Sequence, residues 1–232
     1  MARALRFRFS RNEKLKYLAH LDMLRLFERA LKRTGLPVSY TQGFNPRQKI
    51  VFGLPIAVGL TSSAEYADIE FDGDVAPETF VSKLNETLPD GAEVLDAVPL
   101  CGKSSIMSII ASAKYEIRFT LPKPLEQDEI DGIISGFLNN NDITVMKKTK
   151  SGTKPVNIRP LIYSLSVGID GGSYILYAFV SAGSENNLRP DLLVEAIRQK
   201  TGLPVETESI HRSAMYASAF NEWKDPFEVA DD

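Results

Sequence analysis

The chain has 232 residues, 44% of them apolar and 25% charged, with a net charge of −3, which is ordinary for a globular protein with one large or two small hydrophobic cores. No run approaches the roughly 18–20 uninterrupted apolar residues that span a bilayer, and the arginine-interleaved N-terminus is not a secretory signal. The single cysteine, Cys101, excludes an internal disulfide framework and a cysteine-built metal cluster.

A cytoplasmic protein is the plain reading, but its charge is unevenly spread. Residues 1–55 carry twelve Lys/Arg against three acids, a net +9, which leaves −12 for the remaining residues. Such asymmetry points to a polyanionic partner.

In chain order, residues 5–9 alternate as a strand, with Leu5, Phe7 and Phe9 on one side and Arg6 and Arg8 on the other. With helices on the apolar side, Arg6 and Arg8 stand on the open face, available to a ligand or to the second unit, or else as solvated charges or ion pairs across the sheet. A first helix spans residues 19–34 and stops at Gly35. Leu24, Phe27 and Leu31 form its core stripe, flanked by Leu21, Met23 and Ala30. Arg25, Arg29 and Arg33 make a basic ridge on another face, and Glu28 can pair with Lys32.

His20 lies one turn ahead of Leu24 on the core stripe, so it faces the sheet as a structural histidine or, alternatively, as a catalytic one. Asp22 sits in the first turn, where the helix dipole favours a carboxylate. The spacing supplies too few ligands for a metal site.

Residues 42–47, Gln-Gly-Phe-Asn-Pro-Arg, form a loop in which Gly43 frees the backbone and Asn45-Pro46 favours a turn. Gln42, Asn45 and Arg47 suit base edges or phosphates, and Phe44 suits stacking on a base. The alternative is a β-connection whose Phe44 plugs the core. Lys49 and strand candidates at 50–52 and 66–71 follow.

Three more helices repeat the pattern of the first. They open at Pro77, after Pro124 and at Pro190, carry acids in the first turn, and end near Gly91, at residues 139–141 and at Gly202. Residues 34–38 and 201–205 are both Thr-Gly-Leu-Pro-Val, an echo at the same place in two helix-to-strand units. Strands are predicted at 115–121, 161–169 and 174–180, the last two joined by Asp170-Gly171-Gly172-Ser173, a hairpin signal.

A basic segment at 143–160 carries Lys147, Lys148, Lys150, Lys154 and Arg159 without an acid after Asp142, and suits either a clamp on a nucleic-acid backbone or a solvated loop. Gly102-Lys103-Ser104 lacks the earlier glycine of a P-loop. No GxSxG nucleophile motif is present.

This order predicts an α+β protein of two tandem ferredoxin-like (βαββαβ) units. The expected divisions are residues 1–102 with the basic surface, 103–212 with the basic hairpin, and an acidic, aromatic tail at 213–232.

Residues 17–52 and 64–69 resemble the signature of the radical-SAM-linked domain of unknown function. The resemblance is carried by His20-Leu21-Asp22, Arg25, Glu28-Arg29-Ala30-Leu31, Gly35-Leu36-Pro37, the 42–47 loop and Lys49, and more weakly by residues 158–161 and 189–193. It implies an accessory protein fused to or encoded beside a radical-SAM enzyme. The chain itself, with one cysteine, cannot hold a three-cysteine iron–sulfur site, and no cofactor is implied.

A more distant architectural likeness is to the CRISPR-repeat endoribonucleases. The expected function is therefore a non-catalytic RNA-binding accessory module acting with a radical-SAM partner, possible RNAs being tRNA or rRNA. The alternatives are metal-independent RNA cleavage using His20, or a protein-interaction module with no RNA role.

Overall fold

The computed structural model describes residues 2–102, 104–149, 152–219 and 222–229. The fold is mixed α+β, with a mostly sheet core and five helices among the described residues. The chain divides into two units, Met1–Ala111 with Met215–Asp232, and Ser112–Ala214. Residues from 215 onward, read from sequence as part of a separate tail, thus cluster with the first unit.

The first unit contains β1 (Ala2–Arg11), α1 (His20–Thr34), β2 (Ile50–Phe52), β3 (Thr61–Val75), α2 (Pro77–Asn85) and β4 (Ala92–Pro99). β1 lies between β4 and β3, antiparallel to both, and the three-residue β2 pairs antiparallel with β3. The alternation of β1 sends Leu5, Phe7 and Phe9 into the core, where they meet Phe27 of α1 and Phe80 of α2.

Phe27 sits 4.7 Å from Phe9 and 5.4 Å from Phe52 between ring centroids. The buried stripe of α1 is Met23, Phe27, Ala30 and Leu31. Leu24 is only half-buried and Leu21 is 62% exposed, so the helix is rotated slightly from the stripe expected from sequence.

A short helix, α3 (Ile106–Ile109), not expected from sequence, leads into β5 (Ile110–Thr120). The second unit continues with α4 (Gln127–Leu138), β6 (Thr144–Thr149), β7 (Gly152–Asn157), a 3₁₀ turn at Arg159–Leu161, β8 (Ile162–Asp170), β9 (Ser173–Ser181), α5 (Pro190–Thr201) and β10 (Glu206–Ala219). Its strand order is β10-β5-β9-β8, with β5/β9 and β9/β8 antiparallel. β10 contributes residues 206–214 here, while its remainder belongs to the first unit, where it borders β3 and pairs with β11 (Glu222–Lys224).

The β8–β9 turn places Gly171 and Gly172 at φ 58° and 88°, the left-handed pair that a two-residue hairpin favours. α4 begins with a reciprocal capping box between Glu126 and Glu129. β6 and β7 form their own two-stranded sheet.

The repeated Thr-Gly-Leu-Pro-Val is one helix-stop device used twice. Gly35 and Gly202 hold φ 69° and 75° as left-handed caps. Thr34 Oγ1 donates to the Leu31 carbonyl at 2.7 Å and accepts from Leu36 N at 3.1 Å. Thr201 Oγ1 does the same with the Ile197 carbonyl and Leu203 N at 2.7 and 3.2 Å.

Candidate nucleic-acid interface

The 42–47 loop is a tight excursion on a paired base. Tyr40 and Gln48 form an antiparallel bridge, Thr41 N donates to the Arg47 carbonyl at 2.8 Å, and Arg47 N donates to Thr41 Oγ1 at 3.0 Å. Gly43 adopts φ 121°, a region that disfavours any side chain. Closing the base from both sides pushes the tip outward: Gln42, Asn45 and Arg47 are exposed, and Phe44 is 105% exposed. The possibility that Phe44 plugs the core is therefore overturned. An aromatic ring held wholly in water on a braced loop is available for stacking.

Beside the loop, Lys49 pairs with Glu70 at 2.7 Å. Residues of α1, β2 and β3 line a groove of about 540 Å³ together with Thr41, Arg47 and Lys49. On α1, Leu24 and Glu28 line this groove, while Arg25 and Arg29 are exposed, Arg25 lying 3.6 Å from Asp22. Arg33 donates instead to the Thr87 carbonyl after α2.

Gln48 escaped the sequence reading. It is 6% exposed, and its side-chain Oε1 is buried with no hydrogen-bond partner among the described residues. The signal was the period-2 alternation of Gln48, Ile50 and Phe52, which puts Gln48 on the same side as the buried Phe52.

Arg6 does not stand free on an open face. It is 2% exposed, donating Nε to Asp68 Oδ1 at 2.8 Å, Nη2 to Asp68 Oδ2 at 3.1 Å and to the Ser104 carbonyl at 3.0 Å, and Nη1 to the Pro226 carbonyl at 2.9 Å. It forms the cross-sheet ion pair that is one of the alternatives the alternation of β1 allows, with Asp68 its direct neighbour on β3. Ser104 and residues around Pro226 close over the pair, which removes Arg6 from the set able to reach a phosphate.

Arg8 is half-buried, its Nε without a partner among the described residues, and it lies opposite Tyr66 in the β1/β3 register. The Tyr66 hydroxyl lies 3.3 Å from both carboxylate oxygens of Asp225, and Phe227 packs edge-on against its ring. Burial first, then the negative charge of Asp225, pushes the Tyr66 phenol up, with Arg8 pulling the other way. Tyr66, Asp225 and Phe227 are a docking point that the sequence reading did not connect.

His20 begins α1, half-buried, with its ring edge-on to Phe52 at 6.0 Å. It lines a pocket of about 20 Å³ with Arg11, Glu65 and Tyr66, room for about one water rather than a ribose. Arg11 is buried and donates to the carbonyls of Leu15, Lys16 and Leu18, tying down the segment that leads into α1.

The remaining basic residues belong to the second unit. Lys147 and Lys154 face each other across the β6/β7 ladder, Lys154 exposed and Lys147 half-buried. Lys148 is placed only by its backbone, opposite Thr153, and Lys150 lies outside the described residues. Arg159 is not a free clamp: its Nε donates to the Leu138 carbonyl at 2.8 Å and its Nη1 to the Ile162 carbonyl at 3.0 Å, latching the end of α4. Among the described residues no group of three or more His, Cys, Asp or Glu is placed to hold a metal ion, and no helix is long and apolar enough to cross a membrane.

A model of the family described as "Uncharacterized protein conserved in bacteria (DUF2344)" matches residues 4–190. The chain belongs to this family. Its description carries no tie to radical-SAM enzymes, so the resemblance read from residues 17–69 is met at the level of an uncharacterized bacterial family. No curated protein matches this DUF2344 member by sequence.

Two similar solved structures are a Cbf5–Nop10–Gar1 complex, with TM-score 0.52 and 11% identity, covering 91% of this chain and 48% of that one, and an archaeal box H/ACA sRNP Nop10–Cbf5 complex, with TM-score 0.50 and 11% identity, covering 90% and 46%. At such identity the likeness is one of fold, and this DUF2344 chain spans about half the length of either solved chain.

Proposed function

We propose that this DUF2344 protein is a non-catalytic RNA-binding module whose main contact surface is the 42–47 loop with the exposed arginines of α1. The observation that carries the reading is Phe44, fully exposed on a loop braced at Thr41 and Arg47. Exposing an aromatic ring to water is unfavourable, whereas a single-stranded base gives it a stacking partner. Arg47, Arg25 and Arg29 supply charge for the backbone, and the Lys147/Lys154 hairpin adds a second basic element.

Two further proposals accompany it. The first is that both units are ferredoxin-like, a reading supported by β4-β1-β3-β2 and β10-β5-β9-β8 following the same strand order once the β6–β7 hairpin is set aside as an insertion. The fold likeness to a chain from an sRNP complex agrees with an RNA role without specifying one. The partner is a radical-SAM enzyme, on the resemblance carried by residues 17–69.

Fluorescence anisotropy with labelled cellular tRNA and single-stranded RNA, from about 50 to 200 mM salt, tests the reading. Affinity should fall steeply with salt. Phe44→Ala should weaken binding roughly five- to hundredfold, and Arg47→Ala should flatten the salt slope by about one unit. The absence of salt-sensitive affinity for any cellular RNA would overturn it.

A further inference from the structure

The side of β1 and β3 turned away from α1 and α2 is covered in part by the chain's own C-terminal segment. Asp225 sets both carboxylate oxygens 3.3 Å from the Tyr66 hydroxyl, and Phe227 packs edge-on against the Tyr66 ring at 5.3 Å between centroids. Between them the Pro226 carbonyl accepts from Arg6 Nη1 at 2.9 Å. A tight turn brings carboxylate and ring onto this one tyrosine: Phe227 N donates to Asp225 Oδ1 and Glu228 N to the Asp225 carbonyl, both at 2.9 Å. Under this cover Tyr66 is only 3% exposed.

What lies beneath is an aromatic ring beside a guanidinium. Arg8 is the direct neighbour of Tyr66 across the β1/β3 ladder, half-buried with its Nε inside. It forms no ion pair among the described residues: Asp68 is taken by Arg6, and Asp96, opposite Arg8 on β4, accepts from Ala97 N. The covering segment is acidic, with Glu222, Asp225 and Glu228 against Lys224 over residues 222–229, and it clusters with the unit that holds the strongly basic residues 1–55. Its carboxylate and its ring stand where a phosphate and a base of RNA would meet Arg8 and Tyr66. We propose that residues 225–227 are an autoinhibitory latch: seated on Tyr66 they keep its ring and Arg8 from RNA, and their displacement adds both to the binding surface. β3 joins the two places, since Glu70 N donates to the Lys49 carbonyl beside the 42–47 loop and Tyr66 stands four residues earlier, about 13 Å along the strand. This inference rests on the RNA-binding reading and adds a control to it.

The test is fluorescence anisotropy of labelled single-stranded RNA at one salt concentration, with the full chain and its variants. A latch that is shut in most molecules lowers the apparent affinity of the covered contacts by the fraction in which it is open. Asp225→Asn/Phe227→Ala should therefore bind RNA about fivefold or more tighter than the wild type. Adding Arg8→Ala to that opened variant should cancel most of the gain. A segment that merely completed the fold would give unchanged or weaker binding when cut back.

Should the double variant fail to fold by circular dichroism, Asp225→Asn alone, which exchanges one carboxylate oxygen for an amide nitrogen, carries the test and should tighten binding about twofold or more. RNA affinity that is absent from the wild type and present in the opened variant would also support the latch. A folded variant that binds RNA no tighter than the wild type, or a gain that Arg8→Ala leaves untouched, would overturn the latch while RNA binding stands. Failure of wild type and variants alike to bind any cellular RNA would remove the RNA-binding reading and the latch with it.

Discussion

Breaking the Arg6–Asp68 pair tests the claim that this arginine serves the fold and not a ligand. The two side chains are 3% and 9% exposed, and the carboxylate receives Arg6 Nε, Arg6 Nη2 and the Ile106 backbone N–H, the last at 2.7 Å. Arg6→Ala leaves that buried carboxylate with one donor of the three and strips the Ser104 and Pro226 carbonyls of theirs. Removing one member of a buried pair costs about 3–5 kcal/mol, because the other charge stays desolvated and unpaired. Asp68→Ala should cost about the same for the converse reason.

The double variant Arg6→Met/Asp68→Leu removes both charges and fills the space. It should lie well short of the sum of the single changes, with a coupling energy of at least about 2 kcal/mol. Urea unfolding followed by the fluorescence of Trp223, the chain's one tryptophan, reports on the unit that holds the pair. A loss below about 1 kcal/mol for Arg6→Ala, the value of an exposed ion pair, would refute the buried assignment. The same variant, measured where it is still folded, should leave the salt slope of RNA binding unchanged.

Three further outcomes follow from the geometry. Because burial raises the Tyr66 phenol above its ordinary value of 10.0, its contribution to stability is complete below about pH 10 and is lost above it, where the unfolded phenol ionises and the folded one does not; Tyr66→Phe should therefore lose melting temperature less steeply than the wild type on going from about pH 9 to 11. Alanine at Gly35 or Gly202, where no atom lies within 4 Å of an added Cβ, should cost only the left-handed backbone penalty of about 1–2 kcal/mol, whereas Gly91→Ala, whose Cβ would meet Asn12 and Leu15 at 2.8 Å, should cost more in the same urea titration. Arg159→Ala should destabilise the second unit by about 1.5–3 kcal/mol through its lost charged hydrogen bonds, seen by circular dichroism, and leave the salt slope of RNA binding as it was.

The parts of this fold that were legible in the sequence are those fixed by neighbours along the chain. Thr34-Gly35 and Thr201-Gly202 announce their helix stops because each bond of the cap joins residues no more than four apart. Alternation assigns Leu5, Phe7 and Phe9 to the core for the same reason. What covers the other side of β1 could not be read this way. The partners of Arg6 are 62, 98 and 220 residues away along the chain, and no local pattern encodes them.

α3 was missed because its four residues carry no period. The loop's chemistry was visible as Gln42, Phe44, Asn45 and Arg47, but whether Phe44 turned in or out depended on the Tyr40–Gln48 bridge that closes beneath it. Gln48 was passed over because a glutamine beside two basic residues reads as surface, and only its register with Phe52 argues for burial.

The two sides of the β1–β3–β4 layer also differ in what covers them. One side packs Leu5, Phe7 and Phe9 against α1 and α2. On the other, Arg6 is consumed by Asp68, Ser104 and Pro226, and Tyr66 by Asp225 and Phe227. Residues 225–227 of the acidic, aromatic C-terminal segment thus lie against this side of the layer. Arg25 and Arg29 on α1 and Arg47 on the 42–47 loop remain exposed, as does Phe44. Charge alone would have favoured Arg6 and Arg8 equally as ligand contacts; burial and the Asp68 pair decide against Arg6, a distinction that charge pattern along the chain does not make.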